Sequence, residues 1–536
     1  MIRSHRVSGW QKRSKEKVSK INGGMMEVLK IDGHSLNYKD VWKVSEGLLK
    51  VEISESAKAE VLKSREYLEN RMAGGEVMYG VNTGFGHFSD VRISDADLVE
   101  LQKNLIRSHC CGVGTPFSKK QSRAIMLLRA NALVRGHSGI RLVVIEKILE
   151  FLNADIIPVI PEQGSVGASG DLAPLSHLAL GLIGEGEVWD EAGRDPLDVQ
   201  TVLKQKAVTH LELKAKEGLS LINGCQVMTA VGLLALYQIE QLLKVADIAG
   251  SLTLEALRGS RNAFDPLIAA TRPHPGEAIT ASNIRYLLGP TSEIAQSHEQ
   301  CNRVQDAYSL RCIPAVHGAT KDTFRTALKV LETEANSSTD NPLVFADNNK
   351  ILSCGNFHGE PVAFQLDFMA IALSAMASMS ECRVEKLINP AMSGLPAFLA
   401  PDGGLNSGMM IVQVACAALV SENKILSHPA SVDSIPTSAD KEDHVSMGTI
   451  ASRKLQKVVN NATQVLAMEI LCACQGLDML APLKPEGLMA KAMDVVRKEV
   501  PFADKDRVFA KDIQKIRCMI QDFKIVEAVD QGNLKI

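Results

Sequence analysis

Residues 226–259, QVMTAVGLLALYQIEQLLKVADIAGSLTLEALRG, constrain the fold more than any other stretch of the chain. The pattern is helical, very long for a globular helix, and apolar on most of its faces. A helix of that kind cannot rest on a surface; it must sit inside a bundle or at an interface between copies. Residues 360–388 and 447–476 repeat the pattern. Aromatic residues are only 4% of the chain, so the core must be assembled from Leu, Ile, Val, Ala and Met, which pack well between helices. The predicted fold is mainly α: an elongated bundle of long central helices with a smaller mixed N-terminal region. Strand signals are few, near 157–160, 186–188 and 343–352. The expected divisions are a disordered basic extension at 1–25, an N-terminal region at 26–225, the bundle at 226–480 and peripheral helices at 481–536. The extension has no apolar run and is not a secretory signal, and Met25 or Met26 can serve as the start.

Several function classes fall away on composition. A formal net charge of -3 and a pI near 6.5 give no electrostatic case for nucleic acid or an anionic membrane as partner. The most apolar runs, near 366–380 and 407–420, are short or interrupted by Asp367, so no membrane span is expected. The 11 cysteines are odd in number and follow no framework spacing, which fits small buried hydrophobes in a reducing cytoplasm. No H-E-x-x-H and no C-x-x-C is present, so no metal site is expected from motifs.

One segment resists a purely structural reading. In GSVGASGDLAPLSH, residues 164–177, the glycines Gly164, Gly167 and Gly170 alternate with Ser165, Ala168 and Ser169. No Lys follows as in a phosphate-binding P-loop, and the glycine spacing is not a dinucleotide fingerprint. A turn into a helix, capped by Ser169 or Asp171, explains part of it. It does not explain small residues on both sides of the turn. A chemical reading does. In a tight bend the Gly170 nitrogen can attack the Ala168 carbonyl, and only small residues leave room for the approach. Loss of two waters, one from ring closure and one from Ser169, leaves an imidazolone with an exocyclic methylene, an electrophile made from the backbone itself.

With that segment the chain resembles the ammonia-lyases and aminomutases that depend on a 4-methylidene-imidazol-5-one. The resemblance extends through YGVNTGFG (79–86), QKNLIRSHCCGVG (102–114), EGLSLINGCQ (217–226), RPHPGE (272–277), VQDAYSLRCIPAVHG (304–318), EANSSTDNPLVF (334–345), GNFHGEPVA (355–363) and HPASVDSIPTSADKEDHVSMG (428–448). The resemblance implies an amino acid substrate, an electrophile formed autocatalytically from Ala168-Ser169-Gly170 without external cofactor, and a homotetramer with active sites shared between chains. It assigns Tyr79 the role of base or proton shuttle, which calls for a lowered pKa. It assigns Arg311 to the substrate carboxylate, which a planar guanidinium holds through two hydrogen bonds. Asn223, Gln305 and Tyr308 resemble the groups that orient substrate and electrophile, and Phe357 the aromatic packed beside the ring.

Within the family the similarity is greatest to the branch acting on histidine. His109 and Glu442 stand where that branch carries a His and an acid, and together they can hold an imidazole through its two nitrogens. The resemblance therefore implies elimination of ammonia from L-histidine. A lyase or 2,3-aminomutase for tyrosine or another aromatic amino acid is the alternative, and a helical scaffold without chemistry is a third reading. Asp440 and Lys441, Cys225, Ala315 and His87 depart from the family pattern near the substrate blocks. The other histidines, His137, His177 and His444 among them, read as structural.

Overall fold

The computed structural model describes residues 26–84, 86, 91–94, 96–299 and 304–536. The N-terminal extension and His87 lie outside the described residues. The chain is mainly helical. Among the described residues, four two-stranded ribbons carry the strands: Val28–Ile31 with Lys50–Ile53 in parallel, and three antiparallel pairs. The sequence pattern located 187–189 and 343–352 well. It missed Val113–Pro116 and Pro196–Asp198, three- and four-residue pieces too short to show alternation, and it placed the 157–160 strand a few residues early, at Pro161–Gln163.

The expected long helices form within a few residues of their predicted ends. They are Gln226–Ala256, Glu360–Ile388 and Gly448–Asp478. Along Gln226–Ala256 only Gln238 is exposed, which fits its apolar character on most faces. Glu360–Ile388 differs. Pro361, Phe364, Phe368, Ile371, Ala375 and Cys382 are exposed, at three-, four- and seven-residue steps that put them on one face. The helix Met410–Leu426 exposes Ile411, Val414, Ala418 and Ile425 in the same way. By length and composition, Glu360–Ile388 is the one helix among the described residues that could cross a membrane. Asp367, the charge that interrupts this apolar run, accepts from Lys454 Nζ at 3.0 Å. Arg383, further along, pairs with Glu469.

Two compact units are each assembled from three stretches of chain. The first comprises residues up to Leu234, Leu328–Leu366 and Ala430–Arg453. The second comprises Ala235–Ala327, Asp367–Pro429 and Lys454–Ile536. The first holds the Gly-rich turn and the loops around it. The second contains the C-terminal helices Gly487–Arg497, Phe509–Gln521 and Lys524–Val529 and a buried network of charges centred on Asp247 and Glu469.

Candidate active site

The Ala168-Ser169-Gly170 turn is held at its backbone from several directions. Gly167 and Gly170 adopt φ of 71° and 73°, the left-handed region that costs a side chain energy. Gly170 forms a parallel bridge with Gly224, and the Asp171 nitrogen donates to the Gly224 carbonyl at 2.8 Å. A β-carbon on Gly170 would run into that carbonyl. On the other side, the Met447 nitrogen donates to the Val166 carbonyl at 2.9 Å. Ala168 is buried with Val445 and Met447.

Asp171 does more than begin the helix Leu172–Leu182. It stands at the N-cap position as predicted, but its side chain makes no capping bond there. Its Oδ2 instead accepts from the nitrogens of Val227 and Met228, at 2.9 and 3.0 Å, in the first turn of Gln226–Ala256. Its Oδ1 accepts from Ser165 Oγ at 3.1 Å and from the Thr449 hydroxyl. A side chain thus caps a helix 55 positions further on. Burial pushes the Asp171 carboxyl above the usual range, and these donors offset only part of the rise.

Around the turn the first unit gathers most of the predicted residues. Ser169 Oγ donates to Glu442 Oε1 at 2.6 Å, and Asn223 Nδ2 donates to the Ser169 carbonyl at 2.8 Å. Asn223 ends the helix Glu217–Ile222 as its C-cap, while its Oδ1 is buried without a hydrogen-bond partner among the described residues. Glu442 sits in a tight turn in which Ser438, Ala439 and Asp440 all take positive φ; its Oε2 accepts from Thr437 Oγ1 at 3.0 Å. Lys441 is exposed.

His109 ends the helix Leu98–His109 and is half-buried. Its Nδ1 lies 2.8 Å from the Leu105 carbonyl. A carbonyl only accepts, so Nδ1 carries the proton and Nε2 keeps its lone pair. Burial lowers the His109 pKa; the Leu105 carbonyl and the Glu442 charge act the other way. Phe357 is half-buried, and its carbonyl accepts from Cys225 Sγ at 3.0 Å.

Tyr79 departs from expectation. Burial raises its pKa, and the negative charge of Glu442 adds to the rise. Only the hydrogen bond from the Gly86 backbone opposes it. The described residues supply no lowering of the kind a tyrosine base requires, because the charge they place beside Tyr79 is an anion.

Gln305, Tyr308 and Arg311 belong to the second unit. Gln305 and Tyr308 are exposed. The Arg311 guanidinium lies 4.6 Å from the centre of the Tyr308 ring, and its Nε donates to the Asp306 carbonyl at 3.1 Å.

Two residues of this region were not singled out in the sequence. The sequence marks Asp171 only as a local cap, and its reach to Val227 and Met228 has no local signature. Glu334 lies in the EANSSTDNPLVF block. Burial pushes its carboxyl up to about 7, with the nearby Cys225 thiol opposing the rise and the charge of Asp171 adding to it. Its Oε1 is buried without a hydrogen-bond donor among the described residues.

The chain is similar to known proteins over most of its length. The sequence profile of the aromatic amino acid lyases matches residues 36–498. A histidine ammonia-lyase of Myxococcus xanthus is 49% identical over 499 residues, covering 93% of this chain and 98% of that protein. The crystal structure of histidine ammonia-lyase from Trypanosoma cruzi aligns with a TM-score of 0.88 at 42% identity, over 95% of this chain and 98% of that one. Tyrosine aminomutase from Streptomyces globisporus aligns with a TM-score of 0.88 at 38% identity, over 94% and 98%. The chain belongs to the aromatic amino acid lyase family.

Proposed function

We propose that this protein eliminates ammonia from L-histidine to give urocanate, with an electrophile formed from Ala168-Ser169-Gly170. The observation that carries the proposal is the turn itself. Its backbone is bent through left-handed glycines, its central carbonyl is held by Asn223, and its one hydroxyl is held by Glu442. The residues fit an imidazolone: the cradle formed by Gly224 admits glycine at 170 and nothing larger. When formed, the group supplies an electron-poor carbon that takes up the substrate amine or ring and helps a poor leaving group depart.

The surrounding residues have distinct tasks. Asn223 Nδ2 donates to the oxygen that ends up on the ring, and its unpartnered Oδ1 remains to accept from substrate. Dehydration of Ser169 removes the donor now on Glu442 Oε1, leaving that oxygen for a new one. His109 offers a lone pair on Nε2. Both pocket groups therefore accept, and a substrate ring with two N–H groups satisfies both. An imidazole ring carrying both protons does this, a phenol offers one donor and a phenyl none. Tyr79 moves the proton at the β-carbon; since Glu442 raises its pKa, its activation rests on positive charge brought by the assembled site. Arg311 takes the substrate carboxylate, and Gln305, Tyr308 and Phe357 orient the substrate and the ring. The relatives named as histidine ammonia-lyases support this substrate.

The active form we propose is a cytoplasmic homotetramer with sites shared between chains. The exposed apolar stripes on Glu360–Ile388 and Met410–Leu426 support this reading, since such stripes on a soluble enzyme require cover. Mixing inactive Tyr79→Phe and Ser169→Ala chains should restore part of the activity; no recovery after proven subunit exchange would exclude shared sites.

The deciding experiment is incubation with L-histidine, L-tyrosine and L-phenylalanine, with deaminated and β-amino products measured separately. Urocanate from histidine is the expected result. Preference for tyrosine, or a β-amino product, would establish the lyase or aminomutase alternative. Intact mass should lie below the sequence mass by two waters, roughly 36 Da. An unshifted mass with no turnover would leave a scaffold.

A further inference from the structure

The sequence shows no metal motif, yet the first unit brings together three ligand-type side chains that no spacing rule connects. His358 lies in the loop before the helix Glu360–Ile388, Glu360 is the first residue of that helix, and His444 follows 86 positions after His358. One potential ligand atom from each of the three lies within 4.8 Å of the others. The two imidazoles stack with 7° between their planes and 5.6 Å between their centres.

The protonation pattern suits a metal. His358 Nε2 lies 3.2 Å from the His444 carbonyl, which only accepts, so Nε2 carries the hydrogen and Nδ1 is the lone-pair nitrogen, accepting only a long hydrogen bond of 3.4 Å from the Glu360 backbone nitrogen. A backbone carbonyl on the far nitrogen is the usual way a metal-binding histidine is oriented. Nδ1 in turn lies 4.0 Å from Glu360 Oε2. Oε2 is buried and has no hydrogen-bond partner among the described residues. A buried carboxylate oxygen that lacks a donor is an unfavourable arrangement on its own. A cation between the two groups removes that penalty and displaces only the long hydrogen bond to Nδ1. His444 is exposed, and its ring, stacked on that of His358, brings a nitrogen to the same cluster.

We propose that His358, Glu360 and His444 form a binding site for a divalent transition-metal ion of the zinc class, with the fourth position open to solvent. Two imidazole nitrogens and one carboxylate oxygen are a donor set that zinc favours over calcium or magnesium, which prefer oxygen alone. Ligand atoms now 4.0–4.8 Å apart need to close by about 1 Å to meet bonds of roughly 2.0–2.1 Å. Side-chain rotation at exposed His444 and half-buried His358 and Glu360 supplies that movement. Bound there, the ion would tie the loop that carries Phe357 to the segment that carries Glu442.

The test uses the full-length protein freed of metal by a chelator and titrated with zinc chloride by calorimetry, with thermal unfolding followed in parallel. One ion per chain and a rise in Tm are expected. His444→Asn and Glu360→Gln, both conservative changes, should weaken binding by about tenfold or more and remove the rise in Tm, while circular dichroism stays unchanged. Cobalt substitution separates this site from the exposed thiols of Cys111, Cys382 and Cys518. Absorption from nitrogen and oxygen ligands, without a strong thiolate charge-transfer band, supports the site. A thiolate band, unchanged affinity in both variants, or no binding by the parent protein would overturn it.

Discussion

Asp171 and Asp247 are both fully buried aspartates, and the protein treats them in opposite ways. Asp171, in the first unit, is surrounded by neutral donors: two backbone N–H groups and the hydroxyls of Ser165 and Thr449. Its burial goes partly uncompensated, and its pKa is raised. Asp247, in the second unit, accepts from Lys321 Nζ at 2.6 Å, His317 Nδ1 at 2.9 Å and Asn283 Nδ2 at 2.8 Å. Burial alone would raise its pKa too, but the Lys321 charge, with His317 and Asn283, outweighs it and holds the carboxyl below its ordinary value. The tautomers agree: His317 Nδ1 gives its proton to Asp247, and its Nε2 faces Arg383 Nη1 at 3.4 Å. One aspartate uses hydrogen bonds to organise a turn and a helix end. The other belongs to an ion network that holds helices together. The difference teaches where function and stability should separate when each region is altered.

The largest effect should fall on the turn, and on activity alone. Ser169→Ala removes the hydroxyl that must leave as water, so turnover should drop by at least about a thousandfold, the scale of losing a covalent catalytic group. Stability should change by less than about 1 kcal/mol, because the replacement is small. Steady-state kinetics with denaturant unfolding checks both halves. A near-normal rate would end the imidazolone reading.

Asp247→Asn should show the reverse. It leaves Lys321 buried and uncompensated, a loss of about 3–5 kcal/mol in unfolding free energy, read from urea unfolding. If it costs no more than Ser169→Ala, the ion network does not hold the second unit together. Gly170→Ala falls between them and affects both properties. A left-handed backbone costs a side chain about 1–3 kcal/mol, and the added carbon meets the Gly224 carbonyl. The protein should be less stable, and its mass should show no loss of water.

The smallest effect is also the most discriminating. Asp171→Asn keeps the shape and an acceptor for Val227 and Met228, so it should cost only about 1 kcal/mol near neutral pH. The pH dependence of the two aspartates should differ in sign. The Asp247 contribution is present above its ordinary pKa of 3.8 and is lost as the pH falls through the depressed folded-state value. The Asp171 contribution is fully present below 3.8 and is lost as the pH rises through its raised value. Unfolding midpoints measured from acid to neutral pH should therefore show Asp247→Asn flattening the loss on acidification, and Asp171→Asn flattening the loss on the way up. Slopes of the same sign in the two variants would erase the contrast.

The helical class, the long helices and the bare backbone of the turn are legible in the sequence alone. Apolar periodicity over thirty residues is a local signal strong enough to survive any packing arrangement, and small residues around Ser169 state a steric requirement of the backbone directly. The grouping of Ser169, Asn223, His109 and Glu442 was legible only through the resemblance, because residues far apart in the chain carry no spacing that brings them together. Tertiary structure decided what the local pattern cannot express. It turned Asp171 from a cap on its own helix into the cap of another, paired Ser169 with Glu442, and surrounded Tyr79 with burial and an anion that push its pKa up instead of down. It also placed His358 and Glu360 beside His444. Each of these outcomes depends on which group faces another after the chain has closed on itself. Electrostatic and hydrogen-bonding energies are set by those distances rather than by order along the chain.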